Sequence, residues 1–121
     1  MITGIGIDIV ELERIKNIME RQKKIIDRVL TPLEKDHYET LSEKRKVEFL
    51  AGRFAAKESF SKAFGSGIGK ELSFMDIEIQ VDSKGKPVIV KPISKGVHLS
   101  ISHSSQFAIA QVIIEKTDEK V

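Results

Sequence analysis

The chain has 121 residues, 40% of them hydrophobic and 31% charged, which suits one compact domain spanning residues 1–121 and excludes wholesale disorder. It holds no cysteine, which removes disulfide frameworks, cysteine nucleophiles and thiolate metal sites and fits a reducing, cytoplasmic setting. A net charge of +2 is too mild to imply nucleic acid, and no apolar run approaches the ~20 residues that span a bilayer, so neither nucleic acid nor membrane is an expected partner.

Residues 2–10 are rich in isoleucine and read as a buried strand, with Gly4, Gly6 and Asp8 on one face and Ile5, Ile7 and Ile9 on the other. From Glu11 the period turns helical. Leu12, Ile15, Ile18, Met19, Ile26 and Val29 recur on one side, which predicts a single amphipathic helix from Glu11 to Arg28. Thr31-Pro32-Leu33-Glu34 starts a short second helix, with Thr31 as cap, Pro32 at the first helical position and Glu34 reaching back to close a capping box. Ser42 caps a third and longest helix that runs to Phe64 and stops at Gly65.

Beyond the loop GSGIG at 65–69 the period becomes two. Met75, Ile77, Ile79 and Val81 alternate with Asp76, Glu78, Gln80 and Asp82, a half-buried strand that turns through residues 82–86 into Pro87–Val90. Val97–Ser102 and Phe107–Glu115 supply two more strands, and the tail Lys116–Val121 is expected to fray. The order of strand, helices and then strands predicts an α+β fold, a mainly antiparallel sheet packed on the long central helix.

Two carboxylates stand where apolar residues belong. On the longest helix, at ~100° per residue, Val47, Leu50, Ala51 and Phe54 form one stripe with Glu58 in its middle. The opposite stripe of Phe49, Ala56, Phe60 and Ala63 is apolar as well, so Glu58 must be protonated, paired or bound to a metal. Asp8 shares its strand face with Gly4 and Gly6, whose missing side chains let another element approach closely. If the helix packs there, Asp8 and Glu58 converge, and two carboxylates suit a hard cation such as magnesium. The plainer alternative has Asp8 ending the strand and Glu58 paired with Lys62 one turn on. Arg53, Lys57 and Lys62 add cations along the same helix, as a polyphosphate substrate needs, although Lys57 taken alone reads as part of a solvated face. Gly65–Gly69 follows a helix instead of preceding one and is no P-loop, so a helix cap and a ligand contact stay equally open. His103 ends a strand without a second histidine at ligand spacing, and the absence of a GxSxG motif disfavours a hydrolase triad.

Taken together, GIGIDIVELERI at 4–15, FLAGRFAAKESFSKAFGSGIG at 49–69 and HLSISHS at 98–104 resemble the holo-acyl-carrier-protein synthase family over nearly the whole chain. The resemblance implies a 4′-phosphopantetheinyl transferase that uses coenzyme A and an apo acyl carrier protein, yields holo carrier and adenosine 3′,5′-bisphosphate, requires Mg2+ and supports fatty acid biosynthesis. It also implies a homotrimer with a site at each subunit interface. Position by position, Asp8 and Glu58 match the family's metal ligands and Lys62 the lysine near the coenzyme's phosphates, which makes Glu58 and Lys62 the expected catalytic residues. Arg53, Ser61, Gly65 and His103 fall in segments that line the coenzyme site. Ser59 stands where the family usually has alanine, and the base that takes the carrier serine's proton is left open.

On a continuous helix Arg14, Arg21, Lys24 and Arg28 fall within an arc of roughly 80°, a cationic row that would dock an acidic carrier. The same row permits a different class of function, a non-enzymatic adaptor for acidic proteins. A weak nucleic-acid binder is a third option, disfavoured by one tyrosine and no tryptophan.

Overall fold

The computed structural model describes residues 1–117. Strand β1 (Ile2–Glu11) is followed by helices α1 (Leu12–Arg21), α2 (Ile25–Val29), α3 (Pro32–Tyr38) and α4 (Glu43–Phe64). A 3-10 turn at Phe74–Asp76 leads to β2 (Glu78–Val81) and β3 (Pro87–Lys91), and then come β4 (Val97–His103) and β5 (Phe107–Glu115). The class is α+β as expected, but the strands form two sheets, a three-stranded one in the order β1-β5-β4 and the separate hairpin β2-β3, each antiparallel.

The caps read from the sequence hold in detail. The Thr31 N–H donates to Glu34 Oε1 at 2.8 Å and the Glu34 N–H to Thr31 Oγ1 at 3.4 Å, with Pro32 at the first position, so α3 starts in a closed capping box. Ser42 Oγ accepts from the Arg45 N–H at 3.3 Å. At the other end of α4, Gly65 adopts φ 101°, and the N–H groups of Gly65 and Gly67 both donate to the Ser61 carbonyl, a termination that needs the left-handed region.

The core lies between α4 and the inner face of the three-stranded sheet, where Ala108, Ala110 and Val112 on β5 meet Ala55, Ala56 and Phe60. Glycine sets the spacing between these layers. A Cβ placed on Gly4 would lie 2.0 Å from the Ala63 carbonyl oxygen, and one on Gly6 would lie 1.8 Å from that of Ser59. Ser59 is wholly buried at this contact and donates its hydroxyl to the Ala110 carbonyl at 2.9 Å, so the serine in place of the family's alanine is satisfied.

Four expectations are corrected. The helix predicted over Glu11–Arg28 breaks at Gln22, because the chain turns inward there to bury Val29 and Leu30, which a straight ~27 Å helix would carry past the core. Strand β1 is buried on its glycine face only; Ile5, Ile7 and Ile9 are 53–60% exposed on the other. The strand expected from Met75 starts at Glu78, Met75 is exposed in the 3-10 turn, and Glu78, predicted to face solvent, is buried under a hydroxyl hydrogen bond from Thr31 at 2.7 Å. Lys116 does not fray, since its N–H donates to the Met1 carbonyl; residues 118–121 lie outside the described residues.

Candidate active site

Asp8 lies on the glycine face of β1, and the close approach that Gly4 and Gly6 allow brings α4 over it. Glu58 and Lys62 are one turn apart on α4, so both project toward that end of β1. Lys62 Nζ is 3.2 Å from Asp8 Oδ1 and also donates to the Ile7 carbonyl at 3.0 Å. Partial burial pushes the Glu58 carboxyl above the usual carboxylate range, the negative charge of Asp8 raises it further, and Lys62 pulls it back. The ion pair that Lys62 makes is therefore with Asp8, and the two carboxylates converge as the packing condition required.

The remaining expected residues divide. Lys57 is not on a solvated face: it is wholly enclosed, its ammonium 2.6 Å from Glu34 Oε1. Ser61 is buried and its hydroxyl donates to the Glu58 carbonyl at 2.7 Å, inside its own helix. Gly65 is exposed at the end of α4, next to the loop that returns to Phe74. Arg53 lies ~140° around α4 from Glu58, its guanidinium carbon 4.2 Å from the Phe49 ring centroid. Its Nε is the buried side-chain nitrogen that has no hydrogen-bond partner among the described residues. Burial lowers the Arg53 pKa from the ordinary arginine value and Glu34 partly restores it.

His103 stands opposite Ala108 and Asp8 opposite Ala110, on strands separated by β5, so the histidine is ~10 Å across the sheet and ~7 Å along it from Asp8. It opens instead into a broad groove shared with Arg14 and Arg21 of α1, Tyr38 and Lys44. The break after α1 splits the predicted cationic row. Arg14 and Arg21 line the groove, whereas Lys24, at the N-cap of α2, and Arg28, within α2, do not. A single chain thus unites Asp8, Glu58 and Lys62 and leaves Arg53 and His103 apart from them.

The network around Lys57 was not anticipated. Glu34 Oε2 accepts from the Ile79 N–H at 2.7 Å while Oε1 accepts from Thr31 and Lys57, so one carboxylate ties α3, α4 and β2. The capping box identified Glu34 as a helix-start residue, but nothing in its spacing announced a second duty in the core.

The family model of the 4′-phosphopantetheinyl transferase superfamily matches residues 4–112. The chain is 59% identical over 118 residues to the holo-[acyl-carrier-protein] synthase of Bacillus subtilis, covering 96% of this chain and 98% of the relative. It is 61% identical over 120 residues to that of a Geobacillus species, with the same coverage. Among solved structures, a holo-(acyl-carrier-protein) synthase from Bacillus anthracis in complex with CoA (3′,5′-ADP) superposes with a TM-score of 0.88 at 52% identity, over 97% of this chain and 99% of that one. The synthase from Neisseria meningitidis gives a TM-score of 0.86 at 39% identity, over 96% and 100%. Sequence and fold agree, and the chain belongs to the holo-[acyl-carrier-protein] synthase family of phosphopantetheinyl transferases.

Proposed function

We propose that the chain moves the 4′-phosphopantetheine group of coenzyme A onto a serine of an apo acyl carrier protein, with Mg2+ held at Asp8 and Glu58, as a step that equips the carrier for fatty acid biosynthesis. The observation that carries this is the convergence of Asp8, Glu58 and Lys62 at one end of the helix–sheet contact, in a chain whose relatives are named for this activity. The donor set fits the ion. Two hard oxygen ligands with no third His, Cys, Asp or Glu clustered beside them among the described residues suit a cation that keeps waters and takes phosphate oxygens. Bound there, Mg2+ would supply positive charge to the pyrophosphate of the coenzyme.

In the transfer, the carrier serine oxygen attacks the pantetheine-side phosphorus, and the bond from that phosphorus to the bridging oxygen breaks. The nucleotide departs as adenosine 3′,5′-bisphosphate with the negative charge, and the serine proton passes to a base. Lys62 is already fixed by the Ile7 carbonyl and Asp8, so its charge is in position before the leaving oxygen develops negative charge.

The proposal includes a homotrimer in which neighbouring copies complete each site. It is supported by the exposed isoleucine face of β1, continued by Phe107 and Ile109 on β5, and by the separation of Arg53 and His103 from the carboxylates within one chain. Sedimentation at micromolar concentration should give three times the 13.6 kDa chain mass, and a species of one chain mass alone would refute the assembly. A cytoplasmic setting accords with the absence, among the described residues, of any helix long and apolar enough to cross a membrane. Incubation with coenzyme A, Mg2+ and an apo carrier, followed by intact mass, tests the activity. The carrier should gain one phosphopantetheine group, and no gain with several apo carriers would overturn the proposal.

A further inference from the structure

Lys57, next to Glu58 in sequence, is a wholly buried charge that the transfer chemistry leaves unused. Its ammonium donates to the Val29 carbonyl at 2.7 Å, to Glu34 Oε1 at 2.6 Å and to the Phe74 carbonyl at 3.1 Å, which uses all three of its protons. Buried ion pairs are weak as sources of stability, since an apolar side chain of similar volume often does as well. Their directional bonds do fix which segments meet. Here the three acceptors belong to the end of α2, to α3 and to the 3-10 turn at Phe74–Asp76.

Phe74 is the return point of the loop 65–73, whose other end leaves α4 three residues after Lys62. Between those ends Leu72 is buried in the core and Ile68 packs against it, while Gly65 and Ser66 are exposed and the backbone ties are Gly67 N–H to the Ser61 carbonyl and Gly69 N–H to the Leu72 carbonyl. A second anchor holds the same turn: the Phe74 ring lies 5.3 Å from that of Phe54 on α4.

We infer that Lys57 is a positioning residue for the transfer: through the Phe74 carbonyl it pins the return end of loop 65–73 to α4, so that the loop stands in place beside Glu58 and Lys62 when the coenzyme arrives. The inference rests on the proposed function in that coenzyme A is taken as the molecule the loop meets. Lys57 itself touches no substrate. With the anchor released the loop must be ordered by the coenzyme at the moment of binding, which weakens coenzyme binding and leaves carrier recognition by α1 largely as it was.

Two variants release the anchor by different contacts. Lys57→Met keeps the stem and removes the ammonium, whereas Phe74→Leu keeps the carbonyl and the ion pair and removes the ring contact. Each is compared with wild type for coenzyme KM, carrier KM, kcat and, without any ligand, hydrogen exchange of the amides at 66–73. The expected result is exchange in the loop about tenfold faster and coenzyme KM about tenfold higher, with carrier KM within about twofold and exchange in β1 and β5 unchanged. Should Lys57→Met fail to fold, the milder Lys57→Gln takes its place, because Phe74→Leu leaves the Lys57 bond to the Phe74 carbonyl intact and reports only what the ring contact adds. Loop exchange and coenzyme KM at wild-type levels in a folded Lys57 variant would overturn the inference, as would an equal rise in exchange throughout the chain. A wild-type chain that transfers nothing would overturn the proposed function instead, while the exchange data would still test the anchor.

Discussion

Replacing Gly6 by alanine should be among the most damaging single-methyl additions this chain can receive. The new Cβ would lie 1.8 Å from the Ser59 carbonyl oxygen, 2.8 Å from its carbon and 2.9 Å from the Ala63 nitrogen, all backbone atoms of α4 that no rotamer change can move aside. Relief to the ~3.5 Å of ordinary contact requires β1 and α4 to part by about 1.7 Å, and a gap of 0.5–1 Å already forfeits a quarter to a half of the dispersion well for the atoms lining it. Overpacking costs typically ~1–3 kcal/mol when side chains can yield, so with backbone on both sides a loss of about 3 kcal/mol or more is expected. At about 4 °C per kcal/mol for a domain of this length, the melting temperature should fall by roughly 12 °C. Asp8, two residues along β1, moves with the strand away from Glu58, so transfer activity should fall well beyond what the unfolded fraction explains. Thermal and urea denaturation measure the first effect and intact-mass turnover the second. Gly69→Ala is the control, because a Cβ there meets nothing within 4 Å, and it should cost less than about 0.5 kcal/mol. A Gly6→Ala chain within about 1 kcal/mol of wild type would refute the view that bare backbone contact sets the helix–strand spacing.

Asp8→Asn and Glu58→Gln should each remove most turnover with the circular dichroism spectrum unchanged; near wild-type rates for both at limiting Mg2+ would sink the metal assignment. The raised Glu58 pKa gives a pH dependence to the Mg2+-free protein: between the ordinary glutamate value and the raised folded value the native state keeps a proton that the unfolded state has lost. Stability to urea should therefore fall as pH rises through that window, and Glu58→Gln should flatten this part of the profile; an identical slope in the variant would contradict the burial and Asp8 causes. Arg14→Glu and Arg21→Glu should raise carrier KM with little change in kcat, by a factor that shrinks as salt screens over ~10 Å at 0.1 M ionic strength. Equal carrier KM for wild type and both reversals at low salt would make the groove beside α1 a plain solvated surface.

Local chemistry was legible in the sequence and long-range closure was not. Thr31, Pro32, Glu34, Ser42 and Gly65 carry their helix ends in residue type alone, because a cap is satisfied within a few residues. The glycine face of β1 and the misplaced carboxylates pointed to the helix–strand contact, since an aspartate beside two glycines has no reason to sit in a core unless something binds it. Lys57 was illegible because its burial depends on Val29, Glu34 and Phe74 arriving from three other segments, none of which its helical position foretells. The break at Gln22 was hidden for a related reason. No glycine or proline marks it, and the apolar period runs on through Ile26 and Val29, so only the pull of the core on Val29 and Leu30 reveals it. Glu78 misled through its alternation with Ile77 and Ile79, which placed it on a face that α3 turns out to cover.

The pairing of β1 with β5 bears on how the enzyme comes into being on the ribosome. Thr3 reaches Ile114 across 111 residues of chain, and β5 is the strand that hydrogen-bonds to β1. Asp8 is translated early, yet the strand that bears it has no neighbour in its sheet until residues 107–115 have left the exit tunnel. Contacts of such long span must meet the entropy of loop closure before they return any stability, which places the closing of this sheet late in folding. A nascent chain stopped before Phe107 would carry both carboxylates and Lys62 and still lack the scaffold that holds them together, so the sheet behind Asp8 closes only once the last strand is free of the ribosome.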